Sequence, residues 1–217
     1  MEPKFNNRPN EELQIENRII KFNGNVYVLN EELSRPNPKL EDRTIWISRS
    51  VAIVGIVLGK FKDDVYVLIE ERSQTMMDKP GRWCLPCGYI DWDENGLKAM
   101  TREIYEETSL YLPDYNKFLL NPNDIQSFYV NTEATENRQN IVLYYGFVYD
   151  FKNGLPMEPY SYMNHEISDV RWVKLNEVDG YNLAFGHDRR IIQAEEHFSK
   201  YLLPWWKRWI KRIFCHS

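Results

Sequence analysis

The sequence predicts a fold of mixed helices and strands, α/β or α+β, with a mixed β-sheet. Apolar, β-branched runs and helical patterns follow one another in an irregular order, which is typical of this class. Hydrophobic residues make up 43% of the 217 residues and charged residues 27%, as in ordinary globular proteins. These observations exclude a disordered chain, and no apolar run approaches the roughly 20 residues of a membrane-spanning helix.

The strands are predicted from short apolar runs that turn residues separate. Residues 26–29 form a short strand ahead of a proline-containing loop. The apolar run 44–58 suits one long strand or two in succession, and the polar segment 60–64 turns the chain into a strand at 65–69. The remaining predicted strands are 83–85, 125–130, 141–150 and 170–173.

Two helices are predicted, at 95–110 and at 188–201, and Pro204 interrupts the second. In the first helix, Leu97, Met100 and Ile104 share one narrow stripe at 100° per residue. We therefore expect these three side chains to face the core.

Charge is distributed unevenly along the chain. The net charge is −5, but the segment 199–217 carries five basic and no acidic side chains, so the remainder carries −10. Such an acidic body predicts that no long nucleic acid is bound by bulk electrostatics. Three cysteines, at 84, 87 and 215, are too few for a disulfide framework and predict a cytoplasmic protein.

Three carboxylates distinguish the first predicted helix. Glu103, Glu106 and Glu107 lie at i, i+3 and i+4, where like charges repel by roughly 0.2–0.5 kcal/mol per close pair. Two of them also lie near the C-terminal end, where the helix dipole disfavours negative charge. Clustered hard oxygen ligands suit Mg²⁺ or Mn²⁺. The alternative is a solvated acidic face that pairs with arginine.

The segment 88–110 resembles the signature of the Nudix hydrolases, G-x5-E-x7-R-E-U-x-E-E-x-G-U, in which U is bulky and aliphatic. Eight of the nine fixed positions match. The matching residues are Gly88, Glu94, Arg102, Glu103, Ile104, Glu106, Glu107 and Leu110. Ser109 stands where the family has Gly after the helix. Because a left-handed conformation is favoured there, Ser109 is expected to cost stability more than activity.

The resemblance implies a Nudix-type α/β/α sandwich at 46–198, with an N-terminal extension at 1–45 and a basic tail at 199–217. It also implies Mg²⁺-dependent hydrolysis of a pyrophosphate bond, with Mn²⁺ as an alternative ion. The substrate would be a nucleoside diphosphate linked to another moiety, such as ADP-ribose, a nucleotide sugar, a dinucleotide or an NTP. A non-catalytic nucleotide-sensing module that acts through a protein partner is the alternative.

The resemblance also implies roles for individual residues. The implied metal ligands are the carboxylates of Glu103, Glu106 and Glu107 and the backbone carbonyl of Gly88. The implied catalytic residues are Arg102, Glu106, Glu107 and Glu166. Glu94 and Arg102 would pair to brace the loop against the helix. The base would be Glu106, Glu107 or an acid from a later loop, for which Glu166 is preferred to Glu133 and Glu136.

Two further residues are expected to contact substrate. Arg72 closes the strand after 65–69, where Nudix proteins often place a substrate-contacting arginine, and His165 lies beside the preferred acid Glu166. The alternative for His165, as for Glu166, is a solvated side chain. Cys84 and Cys87 form a C-x-x-C pair, but no second pair completes a zinc site, so packing explains them better. No downstream subgroup motif identifies the substrate.

The segment 204–214 has the pattern of a cationic amphipathic helix. Trp205, Trp209 and Ile213 recur on one face, and lysines and arginines fill the other. A weak contact with a membrane surface is one expectation, and packing on the acidic body or on a second subunit is the other. Because Nudix proteins are often dimers, a homodimer is also expected.

Overall fold

The computed structural model describes residues 50–91, 94–133, 140–156 and 166–202, and the strands of an N-terminal sheet. Residues 1–49 and 50–217 form two compact units. The first unit contains an antiparallel sheet in the order β1-β2-β3. Its strands are β1 (Gln14–Glu16), β2 (Ile19–Phe22) and β3 (Asn25–Val28). The sequence pattern predicts only β3, because 1–24 has few large apolar groups.

The second unit is built on a mixed seven-stranded sheet with the main order β10-β5-β4-β9-β8. Its strands are β4 (Val51–Phe61), β5 (Asp64–Arg72), β6 (Trp83–Cys84), β7 (Cys87–Tyr89), β8 (Ser127–Asn131), β9 (Ile141–Asp150) and β10 (Ile167–Lys174). Strands β4 and β9 pair in parallel, and the other pairs are antiparallel. Off this main path, β6 pairs with β5 and β7 pairs with β4. The predicted mixed sheet is confirmed.

Strand lengths follow from pairing. Strand β9 has the predicted bounds, whereas β5 and β10 both run beyond their apolar runs because they pair with each other from Ile167↔Arg72 to Lys174↔Tyr66. Strand β4 turns into β5 at the pair Phe61↔Asp64, as the polar segment predicts. The predicted start of the first long strand, at 44–49, lies outside the described residues.

Helix α1 (Gly96–Thr108) carries the signature residues. The side chain of Asn95 caps it by accepting a hydrogen bond from the Lys98 N–H at 3.0 Å. It ends at Ser109, which adopts the left-handed conformation with φ 56° and donates its N–H to the Tyr105 carbonyl at 2.8 Å. The left-handed position predicted for Ser109 is therefore present. Leu97, expected in the core, is 37% exposed, which corrects that expectation.

Helix α2 (His187–His197) begins one residue before its predicted start and ends earlier than predicted. Phe198 interrupts it, and a short helix α3 (Ser199–Leu202) follows. The ring of Phe198 is fully buried against Gly146, where a Cβ would overlap it. The packed core continues to Leu202, which is 3% exposed. Pro204 lies outside the described residues.

The helices cover opposite faces of the sheet. One core cluster contains Ala99, Met100 and Ile104 of α1 with Ile53, Val57 and Leu68 of the sheet. The other contains Ile191 and Ala194 of α2, Phe198 and Leu202 with Ile56, Leu58 and Val148. The two clusters give the predicted α/β/α layers. Among the described residues, no helix has the length and apolarity needed to cross a membrane.

Candidate active site

The three glutamates of α1 face different surroundings. Glu103 and Glu107 are one helical turn apart and point toward the sheet, so the Glu103 side chain is 14% exposed and Glu107 is 4% exposed. The Glu106 side chain, on the outer side, is 46% exposed. The helix therefore places two of its carboxylates against β7.

The loop strand β7 is shaped to receive these two carboxylates. It pairs with β4 at Ile53↔Gly88, and the Cys87 N–H donates to Oε2 of Glu107 at 2.9 Å. A Cβ atom on Gly88 would overlap the carboxyl group of Glu103. Glycine at position 88 is therefore what allows α1 and its carboxylates to approach the strand.

Arg102 ties the loop before α1 to the helix. Its Nη2 donates to Oε1 of Glu94 at 2.6 Å and its Nε to Oε2 at 3.2 Å, and Nη2 also reaches the Tyr89 carbonyl at 3.1 Å. Its Nη1 donates to Oε1 of Glu103 at 2.9 Å and to Oε2 of Glu106 at 3.0 Å. The hydrogen bonds that Arg102 donates to Glu94 lower the pKa of that carboxyl group. These contacts fit the predicted pairing of Arg102 and Glu94 to brace the loop against the helix. That role stays a prediction.

Negative charge accumulates beneath α1. Burial, and then the charges of Glu70 and Glu103, hold the pKa of Glu107 well above its ordinary value. Burial likewise raises the pKa of Glu103, although Arg102 opposes this effect. Positive charge at this position would stabilise the ionised carboxylates.

Sequence reasoning missed Glu70, which belongs to the same buried group. It is fully buried on β5, and its Oε1 accepts a hydrogen bond from the Cys84 thiol at 3.4 Å. Its Oε2 has no hydrogen-bond partner among the described residues. The pKa of Glu70 is raised well above its ordinary value, and burial is the largest cause. The sequence did contain one signal of this burial. Side chains two positions apart in a strand lie on the same face, so Glu70 shares a face of β5 with the buried Leu68.

The carboxylates of α1 do not form a preassembled metal site. As the side chains stand, no three His, Cys, Asp or Glu residues in the described part of the chain are grouped to hold a metal ion. Glu103 and Glu106 point to Arg102 instead. The chemistry still fits a hard cation, because two largely buried carboxyl groups, Glu103 and Glu107, lie together with raised pKa values.

A cavity of about 500 Å³ adjoins the inner carboxylates. Its wall includes Gly88, Glu107, Glu166, Arg72, Phe185 and His187. The backbone carbonyl of Glu166 accepts from the Ser73 N–H at 2.6 Å, and the charge of Glu166 contributes to the raised pKa of Glu107. The structure thus gathers Gly88, Glu107, Glu166 and Arg72 around one cavity. Glu103 and Glu106 are not among its lining residues.

Other residues singled out in the sequence lie elsewhere. Glu133 is described but does not line the cavity. His165, Glu136 and the segment 204–214 lie outside the described residues. Cys84 is buried and Cys87 is half-buried, and both are free thiols. Sequence reasoning did not single out Phe185 or His187 as cavity residues, because only the folded chain brings α2 beside β6.

A family model, the NUDIX domain, matches residues 48–194. The chain belongs to the Nudix family. Two curated relatives align over short segments. The chain is 32% identical over 60 residues to the m7GpppN-mRNA hydrolase NUDT17 of Homo sapiens, covering 28% of this chain and 18% of that protein. It is 43% identical over 61 residues to an RNA pyrophosphohydrolase of Bartonella tribocorum, covering 26% and 34%. Each match spans about a third or less of the relative.

Solved Nudix structures superpose on a larger share of the chain. The NUDIX domain of Shewanella oneidensis NrtR, in complex with ADP ribose, gives a TM-score of 0.54 at 20% identity and covers 78% of this chain and 99% of that one. A MutT/nudix family protein from Enterococcus faecalis gives 0.54 at 15% identity, covering 75% and 67%. A bifunctional NMN adenylyltransferase/ADP ribose pyrophosphatase from Francisella tularensis, with AMP and a Mn ion, gives 0.52 at 19%, covering 69% and 42%. These likenesses confirm the Nudix fold.

Proposed function

We propose that this Nudix protein is a Mg²⁺-dependent pyrophosphohydrolase acting on a nucleoside diphosphate linked to another moiety. The observation that carries the proposal is the burial of Glu103 and Glu107 against Gly88, beside a cavity of about 500 Å³. A cavity of this size is in the range of small-molecule sites. Two inward carboxylates next to such a cavity favour a metal–diphosphate complex over a solvated acidic face.

The metal ligands we propose are Glu103, Glu106, Glu107 and the backbone carbonyl of Gly88. When bound, the ion would neutralise the diphosphate and lower the pKa of a water molecule. Glu103 and Glu106 would first give up their hydrogen bonds of 2.9 and 3.0 Å to Arg102. Arg102 would keep its two bonds to Glu94 and hold the loop that ends at α1.

The proton acceptor is proposed to be Glu166, with Glu106 and Glu107 as alternatives. Glu166 and Glu107 both line the cavity, whereas Glu106 pairs with Arg102. Glu166 is exposed, so a proton taken there has a direct route to solvent. The nearby Glu107 is largely buried and accepts the Cys87 N–H, which suits it better to holding the ion.

Comparisons suggest which substrates to test. The NrtR domain was solved with ADP ribose and the Francisella enzyme with AMP, and the two curated relatives are named for mRNA-cap and RNA pyrophosphate hydrolysis. Arg72 is 9% exposed at the cavity wall, which supports the predicted phosphate contact. The substrate contact of His165 stays a prediction.

A release assay for phosphate and AMP with Mg²⁺ tests the proposal. The panel contains ADP-ribose, NADH, dinucleotide polyphosphates, nucleotide sugars, dNTPs, and short capped and 5′-triphosphorylated RNAs. Glu106→Gln should lower the rate of the best substrate by about two orders of magnitude or more, because it removes one proposed ligand. Glu196→Gln, an exposed change on α2, is the matched control and should retain full activity. An unchanged rate in Glu106→Gln would refute its assigned role.

The same panel tests the second candidate function. A non-catalytic nucleotide-sensing module would bind one of these compounds without turning it over. The NrtR likeness brings this candidate into the test, because that NUDIX domain was solved in complex with ADP ribose. The domain limits 46–198, the cytoplasmic location, the homodimer and the membrane contact of 204–214 stay proposals.

A further inference from the structure

His187 presents an oriented hydrogen-bond donor. It is the first residue of α2, is 2% exposed, and its Nδ1 accepts the Leu85 N–H at 2.9 Å. Because Nδ1 accepts a hydrogen bond, the neutral ring must carry its proton on Nε2. Burial, followed by the charges of Arg190 and Arg72, lowers the pKa of His187 to about 3. The imidazole is therefore a neutral donor at any physiological pH.

The free edge of this imidazole opens on the cavity. His187 lines the cavity, and no described residue accepts a hydrogen bond from its Nε2. The enclosed polar side-chain atoms without partners in the described residues are Glu70 Oε2 and Trp172 Nε1. Nε2 of His187 is not one of these enclosed atoms, so it is accessible from the cavity.

The backbone around His187 is fixed to β6. The Ala184 N–H donates to the Trp83 carbonyl at 2.7 Å, and Leu183 forms a parallel bridge with Trp83. Phe185 and Gly186 then both adopt the left-handed conformation, with φ of 60° and 68°. A residue with a side chain rarely adopts this conformation, so the backbone of Phe185 is strained. Strain of this kind persists where a fixed geometry serves a site.

A buried cation lies in the same part of the cavity. Arg72 is 9% exposed, and its Nε donates to the Asp78 carbonyl at 2.9 Å. Its guanidinium carbon lies 5.3 Å from the centre of the Phe185 ring. Arg72 and His187 both line the cavity and are close enough for the Arg72 charge to lower the His187 pKa. A cation beside a neutral N–H donor is suited to an anionic oxygen acceptor.

We propose that His187 is a substrate-binding residue whose Nε2–H donates a hydrogen bond to a phosphoryl oxygen of the diphosphate, beside Arg72. The proposal rests on the proposed function. The carboxylates of α1 would hold the diphosphate through the ion, and His187 and Arg72 would hold it directly. Because His187 stays neutral, it adds a donor without repelling the divalent ion.

The test uses the full chain, with Mg²⁺ and methylenediphosphonate, a diphosphate analogue that water does not cleave at its P–C–P bridge. His187→Asn keeps an acceptor for the Leu85 N–H and removes the Nε2 donor, whereas His187→Gln retains a donor. We expect His187→Asn to weaken binding about 10- to 100-fold in calorimetry, the range for a hydrogen bond to a charged group. His187→Gln should recover part of this loss. His197→Asn, at the exposed end of the same helix, should bind like the wild type.

A second measurement avoids mutation. The ¹⁵N signals of the imidazole should show a protonated Nε2 and a bare Nδ1, and the Nε2 signal should shift when methylenediphosphonate is added. An unmoved signal at saturation, wild-type affinity in His187→Asn, or no binding by the wild type at millimolar ligand would each overturn the proposal. Failure of the hydrolase proposal is a separate result. It is the absence of turnover with every nucleotide while His187-dependent binding persists.

Discussion

Replacing Arg102 by methionine should destabilise the metal-free protein at neutral pH. The change removes two hydrogen bonds to Glu94, one each to Glu103 and Glu106, and one to the Tyr89 carbonyl. The strongest is the bond to Glu94 at 2.6 Å, between side chains that are 29% and 13% exposed. A charge-assisted hydrogen bond contributes about 1.5–3 kcal/mol, and the pair with Glu106 adds little because it is exposed.

We therefore expect Arg102→Met to lower the free energy of unfolding by about 3 kcal/mol, or Tm by about 6–12 °C. The loss should be smaller in saturating Mg²⁺, since the ion would supply positive charge to Glu103 and Glu106. It should also shrink in acid. The pKa of Glu94 is lowered in the folded state, so its contribution exists above the unfolded pKa of about 4.5 and is lost as pH falls through the folded pKa.

Thermal unfolding in EDTA and in Mg²⁺ measures these effects. Arg171→Met, which breaks an exposed pair with Asp169, is the control and should cost at most about 1 kcal/mol. The stabilising role of Arg102 is refuted if Arg102→Met costs no more than this control, or if Mg²⁺ leaves the difference between Arg102→Met and wild type unchanged.

Three further changes test other parts of the site. The pKa of buried Glu107 is raised in the folded state, so the metal-free protein should lose stability as pH rises above about 4.5. Glu107→Gln should abolish this contribution to the loss of stability. It should also weaken the rise in Tm that Mg²⁺ produces. Calorimetry at pH 6 and 8 measures the stability of both proteins. An equal change in stability with pH for the wild type and the variant would contradict this prediction. Gly88→Ala should reduce activity at least about 10-fold by displacing Glu103, whereas Gly180→Ala, which meets open space, should have no effect. Ser109→Gly should raise the free energy of unfolding by about 0.5–1 kcal/mol in urea titration by relieving the left-handed C-cap, and a loss of stability would refute this.

The sequence was sufficient for the elements whose pattern is local. Helix α1 follows from its apolar stripe, and β9 follows from a long apolar run. The left-handed position at Ser109 was predictable because the family signature fixes it relative to the helix. These features depend on residues within a few positions of one another.

The remainder depended on contacts between distant segments. Glu70 stands in the run VLIEER, and only the pairing of Glu70 with Cys84 and the packing of α1 make it a buried member of the site. His187 becomes a cavity residue through its bond to Leu85, which no spacing within GHDRR indicates. The second helix ends at Phe198, whose ring packs over Gly146, 52 residues earlier in the chain.

The parallel register of β4 and β9 bears on how the chain matures. Val51 pairs with Ile141, so the most apolar strand of the domain cannot complete its pairing until β9 has been synthesised. Until then, β4 can form its hairpin with β5, but its other edge stays open. A chain truncated before residue 141 should accordingly aggregate more readily than the full chain.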